Sequence, residues 1–115
     1  MKYSTSLKKN YEFKRLYNKG KSAASKHVVV YCNKNRRDYN QLGITVTTKL
    51  GSAVTRNRVR RRLKEIYRLN ESNLYLGYDI VIVARMRAVG ANWRELESSV
   101  LYLFKKLEIW SQGVA

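Results

Sequence analysis

Residues 51–68 read G-S-A-V-T-R-N-R-V-R-R-R-L-K-E-I-Y-R. The spacing predicts a helix: Val59, Leu63 and Ile66 recur at i, i+4, i+7, with Tyr67 beside them, giving one apolar stripe that must face a core. The rest of the arc carries Arg58, Arg60, Arg61, Arg62, Lys64 and Arg68, relieved only by Glu65, and Arg56 stands at the border of the stripe. This charge works against the helix. Basic residues in a first turn oppose the macrodipole, and like charges at i, i+4 (Arg56/Arg60, Arg58/Arg62, Arg60/Lys64) repel by about a few tenths of a kcal/mol each. Asn57 is a poor interior residue, because its amide competes for backbone hydrogen bonds. Most charge runs are merely solvated faces. This one is nearly single-signed on a well-defined amphipathic helix, so something outside the chain must offset the repulsion, and a nucleic acid fits that need.

Composition repeats the message. The 115 residues hold 24 Lys and Arg against 8 acids, a formal charge of +16 with a pI near 10.3. Such an excess destabilises a compact monomer and favours a phosphate backbone as partner. The length suits a single domain, 1–115, with an ordered core over about 7–109. A membrane surface is the other anionic option, but the aliphatic stripe is narrow, is needed by the core, and carries no Trp or Phe. No segment approaches a spanning helix, and the first ten residues lack an apolar signal core. Cys32, the one cysteine, lies in an apolar run and reads as a buried thiol in a reducing cytosol. With no proline, no repeat and no low-complexity tract, no linker is expected.

Upstream of the basic helix, Leu42, Ile44 and Val46 alternate with Gly43, Thr45 and Thr47, which predicts a half-buried strand with one apolar and one small face. Before it come a charged turn over 34–40, a β-branched strand over 27–33 and a short edge strand over 21–25. Residues 10–19 form a helix with Asn10 as expected cap and Gly20 as stop, and Phe13, Leu16 and Tyr17 on one face. Residues 1–9 are expected to be loosely held. Downstream, residues 71–77 connect to a strand over 78–86 whose unbroken apolar centre marks it as central and covered on both faces. Asn92 and Glu95 form a capping box at the head of a last helix, whose core stripe is Leu96, Val100, Leu103, Phe104 and Leu107. The expected order is α, two or three β, α, β, α (α-β-β-β-α-β-α in full), an α+β domain with a small, mostly antiparallel sheet of up to four strands and helices packed upon it.

The stretch T-V-T-T-K-L-G-S-A-V-T-R-N-R-V-R-R-R-L-K-E resembles the signature of the bacterial ribonuclease P protein subunit, with its RNR motif matched by Arg56, Asn57 and Arg58. L-K-K-N-Y-E-F-K-R-L-Y-N-K-G resembles that family's first helix, Tyr31 its strand aromatic, and Y-D-I-V-I-V-A-R its last strand with Asp79 and Arg85. Together these cover residues from about Leu7 to Leu107 in the family's order. Thr48 departs from the pattern, since the family often places Lys or Arg there; the resemblance then implies one phosphate contact fewer, partly replaced by Lys49.

The resemblance implies the small protein partner of a catalytic RNA that cuts the 5′ leader from precursor tRNA. Hydrolysis would belong to the RNA and its bound Mg²⁺, which the RNA and substrate hold. The protein would dock on that RNA, one to one, through Arg56, Asn57, Arg58, Arg60, Arg61, Arg62, Lys64 and Arg68. It would hold the leader in a cleft between the first helix and the sheet, in the cytoplasm, with no role for DNA or membrane. The implied fold is the split βαβ of a ribosomal protein domain, with a small four-stranded mixed sheet and a left-handed crossover.

The residues themselves favour binding over chemistry. The acids are scattered, and the one close pair, Glu95 and Glu97, stands at i, i+2 and points apart on a helix; His27 is the only histidine and no His/Cys set exists for zinc, so no catalytic or metal-holding residue is expected. Single-stranded RNA is held by a basic groove with aromatics under its bases. By spacing alone Phe13 reads as core and Tyr17 and Tyr31 as either core or platform; the resemblance moves all three to the cleft. Lys14, Lys19, Lys49, Arg85 and Arg87 are peripheral phosphate contacts. Asn57 suits a sugar, a base, a hydrated ion or a first-turn cap, and Asp79 suits a turn or a cation partner better than an RNA contact. A small ribosomal RNA-binding protein is the competing reading, and an autonomous endonuclease a remote third.

Overall fold

The computed structural model describes residues 2–111. In chain order the elements are β1 (Ser4–Ser6), α1 (Asn10–Lys19), β2 (Lys21–Ala24), β3 (Val28–Lys34), β4 (Asn40–Thr45), α2 (Ala53–Asn70), β5 (Tyr78–Ala84) and α3 (Trp93–Lys106), with single 3-10 turns between some of them. The sheet runs β1-β4-β5-β3-β2. β1 and β5 each pair parallel with β4, whereas β3 pairs antiparallel with β5 and with β2. The sheet therefore has five strands and the chain begins on a strand, where the sequence predicted four strands and a leading helix. Ser4–Ser6 has no apolar alternation, so its place depends on a partner strand that no local pattern reveals.

β5 lies at the centre, as its apolar run requires, and the sheet's two faces are covered unequally. On one face Val28, Val30, Cys32, Leu42, Ile80 and Ile82 pack with Val59, Leu63, Ile66 and Tyr67 of α2 and with Leu96, Val100, Leu103 and Phe104 of α3. The predicted stripes of both helices are those that face this core. On the other face α1 alone lies across the strands, with Leu16, Leu7 and Val81 buried together and Phe13, Tyr31 and Val83 against them. Gly43 permits this approach: a Cβ there would lie 2.5 Å from the Phe13 ring. Much of this second face remains open.

Local signals decide the helix ends, with one correction. Asn10 is the first residue of α1 and not its cap; Lys9 precedes the helix, and its amide donates to Glu12 Oε1 (3.3 Å). Gly20 closes α1 by donating its N–H to Leu16 O (2.9 Å). Ser52 caps α2, its hydroxyl accepting from the Thr55 amide (3.3 Å). Asn92 and Glu95 form the expected capping box on α3, at 2.8 and 3.0 Å. His27 sits just before β3, with Nδ1 2.6 Å from Ser99 Oγ.

Cys32 is 2% exposed, and burial pushes its thiol pKa up. We expect N-ethylmaleimide at neutral pH to modify the native chain at least about tenfold more slowly than the urea-unfolded chain. Equal rates would show that the sheet opens freely.

Candidate nucleic-acid interface

The basic residues of α2 do not all remain available to a ligand. Arg58, Arg61 and Lys64 are exposed, and Asn57 is exposed with its Oδ1 accepting from Arg60 Nη1 (3.0 Å). Asn57 thus orients an arginine and does not cap the helix. Arg56 Nε donates to Gly51 O (3.2 Å), which fixes it at the helix entrance. Two predicted contacts are otherwise engaged. Arg62 Nη1 donates to Ala91 O (3.0 Å), tying α2 to the loop before α3. Arg68 forms a two-pronged ion pair with Glu65 (2.6 and 2.8 Å), which lowers the Glu65 carboxyl pKa and raises that of the guanidinium.

The aromatic residues sit on the sheet face that α1 covers, and Phe13 alone reaches the edge of α2. Tyr17 is 40% exposed, donates to or accepts from Thr45 Oγ1 (3.0 Å), and meets Tyr31 edge to face with centroids 4.9 Å apart. Phe13 lies half-buried on Gly43, in a hollow of about 190 Å³ that it shares with Leu7, Ile44, Arg60 and Lys64. The core and platform readings of Phe13 therefore meet: one side of the ring covers the sheet and another lines the hollow that the basic helix borders.

Because β4 and β5 are parallel, their C-terminal ends lie together, and this is where α2 begins. Lys49 stands on the turn between β4 and α2, and Arg85 and Arg87 follow β5, all exposed. Arg85 Nη1 also donates to Ser25 O (2.8 Å). Lys14 and Lys19 are exposed on α1.

Among the described residues, no group of three or more His, Cys, Asp or Glu could hold a metal ion. The one acid the sequence reading underrated is Glu71, 4% exposed at the end of α2. Its carboxylate accepts from the amides of Lys2 and Tyr3 (the latter 3.3 Å) and from Ser4 Oγ (2.8 Å), and Ser4 Oγ also meets Tyr67 Oη at 2.6 Å. Burial pushes the Tyr67 phenol pKa up. This cluster clamps β1 and belongs to the fold. An acid followed by Ser-Asn gives no sequence sign of a residue 67 positions upstream.

A single basic helix beside an aromatic hollow on an incompletely covered sheet defines a small α+β RNA-binding protein. A family model described as Ribonuclease P matches residues 1–108. The ribonuclease P protein component of Alkaliphilus oremlandii is 42% identical over 99% of this chain and 100% of its own length. That of Clostridioides difficile is 45% identical over 90% of this chain and 91% of its own. Among solved structures, the Staphylococcus aureus RNase P protein superposes with a TM-score of 0.84 at 35% identity, covering 91% of this chain and 96% of that one. The Thermotoga maritima RNase P protein gives 0.81 at 31%, covering 88% and 96%. The chain belongs to the bacterial ribonuclease P protein component family. It is a protein subunit of ribonuclease P, the endoribonuclease EC 3.1.26.5, and aids removal of the 5′ leader from precursor tRNA. The family generally uses Mg²⁺, for which the acids described here do not form a site. No helix among the described residues is long and apolar enough to cross a membrane.

Proposed function

We propose that the outward face of α2, through Arg56, Asn57, Arg58, Arg60, Arg61 and Lys64, docks one copy of this chain on one catalytic RNA. The cleft between α1 and the sheet, from the Phe13 hollow past Tyr17 and Tyr31, then receives the leader of the precursor tRNA. The observation that carries this reading is the hollow itself, where Phe13 shares a wall with Arg60 and Lys64. Arginine forks grip phosphates in two-pronged fashion, and the tyrosines supply faces for bases. Lys49, Arg85 and Arg87 extend the phosphate track past the end of the sheet, and Lys14 adds charge on α1. Arg62 and Arg68 contribute less, since Ala91 O and Glu65 already occupy them.

In this reading the Mg²⁺ ions sit on the RNA and substrate and supply the hydrolytic chemistry there. The chain works in the cytoplasm as a single RNA-binding domain, and its β4-α2-β5 crossover has the left hand that the family resemblance implies, which is rare for parallel strands. The protein's own part is to neutralise phosphates so that RNA and leader approach at lower ion concentration. Reconstitution tests this. Added to the cognate RNA, the purified chain should lower the Mg²⁺ needed to cleave precursor tRNA, and no change at physiological salt would refute the assignment.

Tyr17→Ala separates the leader site from the docking helix. Losing one stacked base should weaken leader-dependent affinity by about 1–3 kcal/mol. The slope of log affinity against log salt should stay nearly unchanged, because no phosphate contact is lost. Titrating precursor tRNA with long and absent leaders at several salt concentrations reads both quantities. A changed slope would place Tyr17 outside the stacking role.

A further inference from the structure

On the flank of α1 opposite Phe13 and Tyr17 lies a second cavity, of about 450 Å³, that the leader hollow does not include. Leu16 anchors the helix over the sheet, and Tyr11, Glu12 and Arg15 overhang a row formed by Asn33, Asp79 and Gln41. Pairing of β3, β5 and β4 brings those three side by side. Arg15, Lys34, Arg36 and Arg37 share the lining with the carboxylates of Glu12 and Asp79. A site for phosphate alone would not carry two carboxylates, which repel it. The mixed lining suits a group with donors of its own attached to a phosphate.

The hydrogen bonds indicate which donors. Asp79 Oδ1 accepts from Asn35 Nδ2 (3.0 Å); the two carboxylates beside Gln41 require its amide to turn the nitrogen inward, which brings Nε2 to 2.9 Å from Asp79 Oδ1 and 3.3 Å from Glu12 Oε2. Asn33 Oδ1 accepts from the Lys34 amide (3.1 Å). Among the described residues this leaves Asn33 Nδ2 as a donor, and Asp79 Oδ2 and Gln41 Oε1 as acceptors, without protein partners. Across the strands the order is donor, acceptor, acceptor. The Watson–Crick edge of guanine presents O6, N1–H and N2–H₂: acceptor, donor, donor. Uracil lacks the last donor, and adenine and cytosine present a donor where the row also offers one. Burial, helped by the nearby Glu12, holds the Asp79 carboxyl above the usual carboxylate range, so it stands to gain from ligand N–H groups.

We propose that this cavity binds one unpaired guanine nucleotide of RNA. Asn33, Asp79 and Gln41 read its base edge, the exposed Tyr11 ring closes over the base, and Arg15 and Arg37 take its phosphate. The inference rests on the RNA-binding reading above. The nucleotide belongs either to the leader or to the catalytic RNA; the chemistry is the same for both.

Titration of the full chain with GMP, IMP, AMP and CMP, followed by the side-chain amide NMR signals of Asn33, Asn35 and Gln41, tests the site. GMP should move all three and bind about tenfold more tightly than IMP, which lacks only the 2-amino group. Equal affinity for all four, or shifts confined to lysines and arginines, would overturn the proposal. Gln41→Ala should abolish the preference for GMP over IMP. Because Gln41 also braces Asp79, Tyr11→Ala serves as the exposed second variant and should weaken GMP and IMP by the same factor. For the source, Lys34→Cys, at an exposed lining position given no contact with the nucleotide, is labelled with a photo-crosslinker (Cys32 is buried) and assembled with RNA and precursor tRNA. Attachment at an unpaired guanine in the leader or in the catalytic RNA supports the site and names its origin; attachment at neither refutes it. Leader removal by the unmodified particle is read alongside. Its failure would sink the docking assignment, whereas normal removal without GMP selectivity would sink this inference alone.

Discussion

Arg58→Ala combined with Arg61→Ala should lower affinity for the catalytic RNA at physiological salt by about a hundredfold. Each exposed guanidinium contributes a charge-assisted contact of roughly 1.5–3 kcal/mol, about tenfold or more. Two lost phosphate contacts should also flatten the plot of log affinity against log salt by about 1.4–1.8. The same double variant should be at least as stable as the parent when free, because removing like charges from one helix face relieves repulsion. Arg68→Ala is the internal comparison. Its guanidinium already holds Glu65 at 2.6 and 2.8 Å, so its removal should cost less binding than Arg58→Ala. Filter binding across a salt series and thermal melts of the free chains check all of this. Equal losses from Arg58→Ala and Arg68→Ala would mean that total charge matters and the placement of these residues does not.

Glu71→Ala should be the most destabilising single change outside the apolar core. The carboxylate, in a residue only 4% exposed, satisfies two backbone amides and one hydroxyl of residues 2–4. Hydrogen bonds to a charged group contribute roughly 1.5–3 kcal/mol each when the partner is left unpaired. The expected total is about 3 kcal/mol, because the freed strand can recover water. For a domain near this size that corresponds to a fall in Tm of roughly 10–20 °C. Hydrogen exchange locates the effect. The Leu7 amide bonds Leu42 O (2.9 Å) and the Asn40 amide bonds Tyr3 O (3.1 Å), so both should lose protection before the β3–β5 amides do. An unchanged melt with unchanged exchange would show that strand pairing alone holds β1. Glu71→Gln should fall between the two, since its amide nitrogen faces a donor.

The contrast between these residues shows how far local pattern reaches. The α2 stripe of Val59, Leu63, Ile66 and Tyr67 was legible because helical periodicity repeats within the segment itself. Its charged arc was legible for the same reason, as were the central β5 and the Asn92–Glu95 cap. By contrast, Arg62 looks like its neighbours in sequence and only the position of Ala91 sets it apart, whereas the Glu65–Arg68 pair is local, at i, i+3. Asp79 was expected to fix a turn or pair with a cation, and it does hold the β3–β4 turn through Asn35.

By itself the sequence determined the class of fold, the core stripes, the excess of cationic charge and the family to which its motifs point. All of these are properties of composition or of spacings within one element. Only the tertiary structure decided that Ser4–Ser6 is a strand, that Glu71 clamps it, that Phe13 closes on Gly43, and that Asn33, Asp79 and Gln41 stand in one row. Each of those depends on residues far apart in the chain meeting across a sheet. Strand register and parallel pairing are fixed by how the whole face packs, and no short segment carries that information.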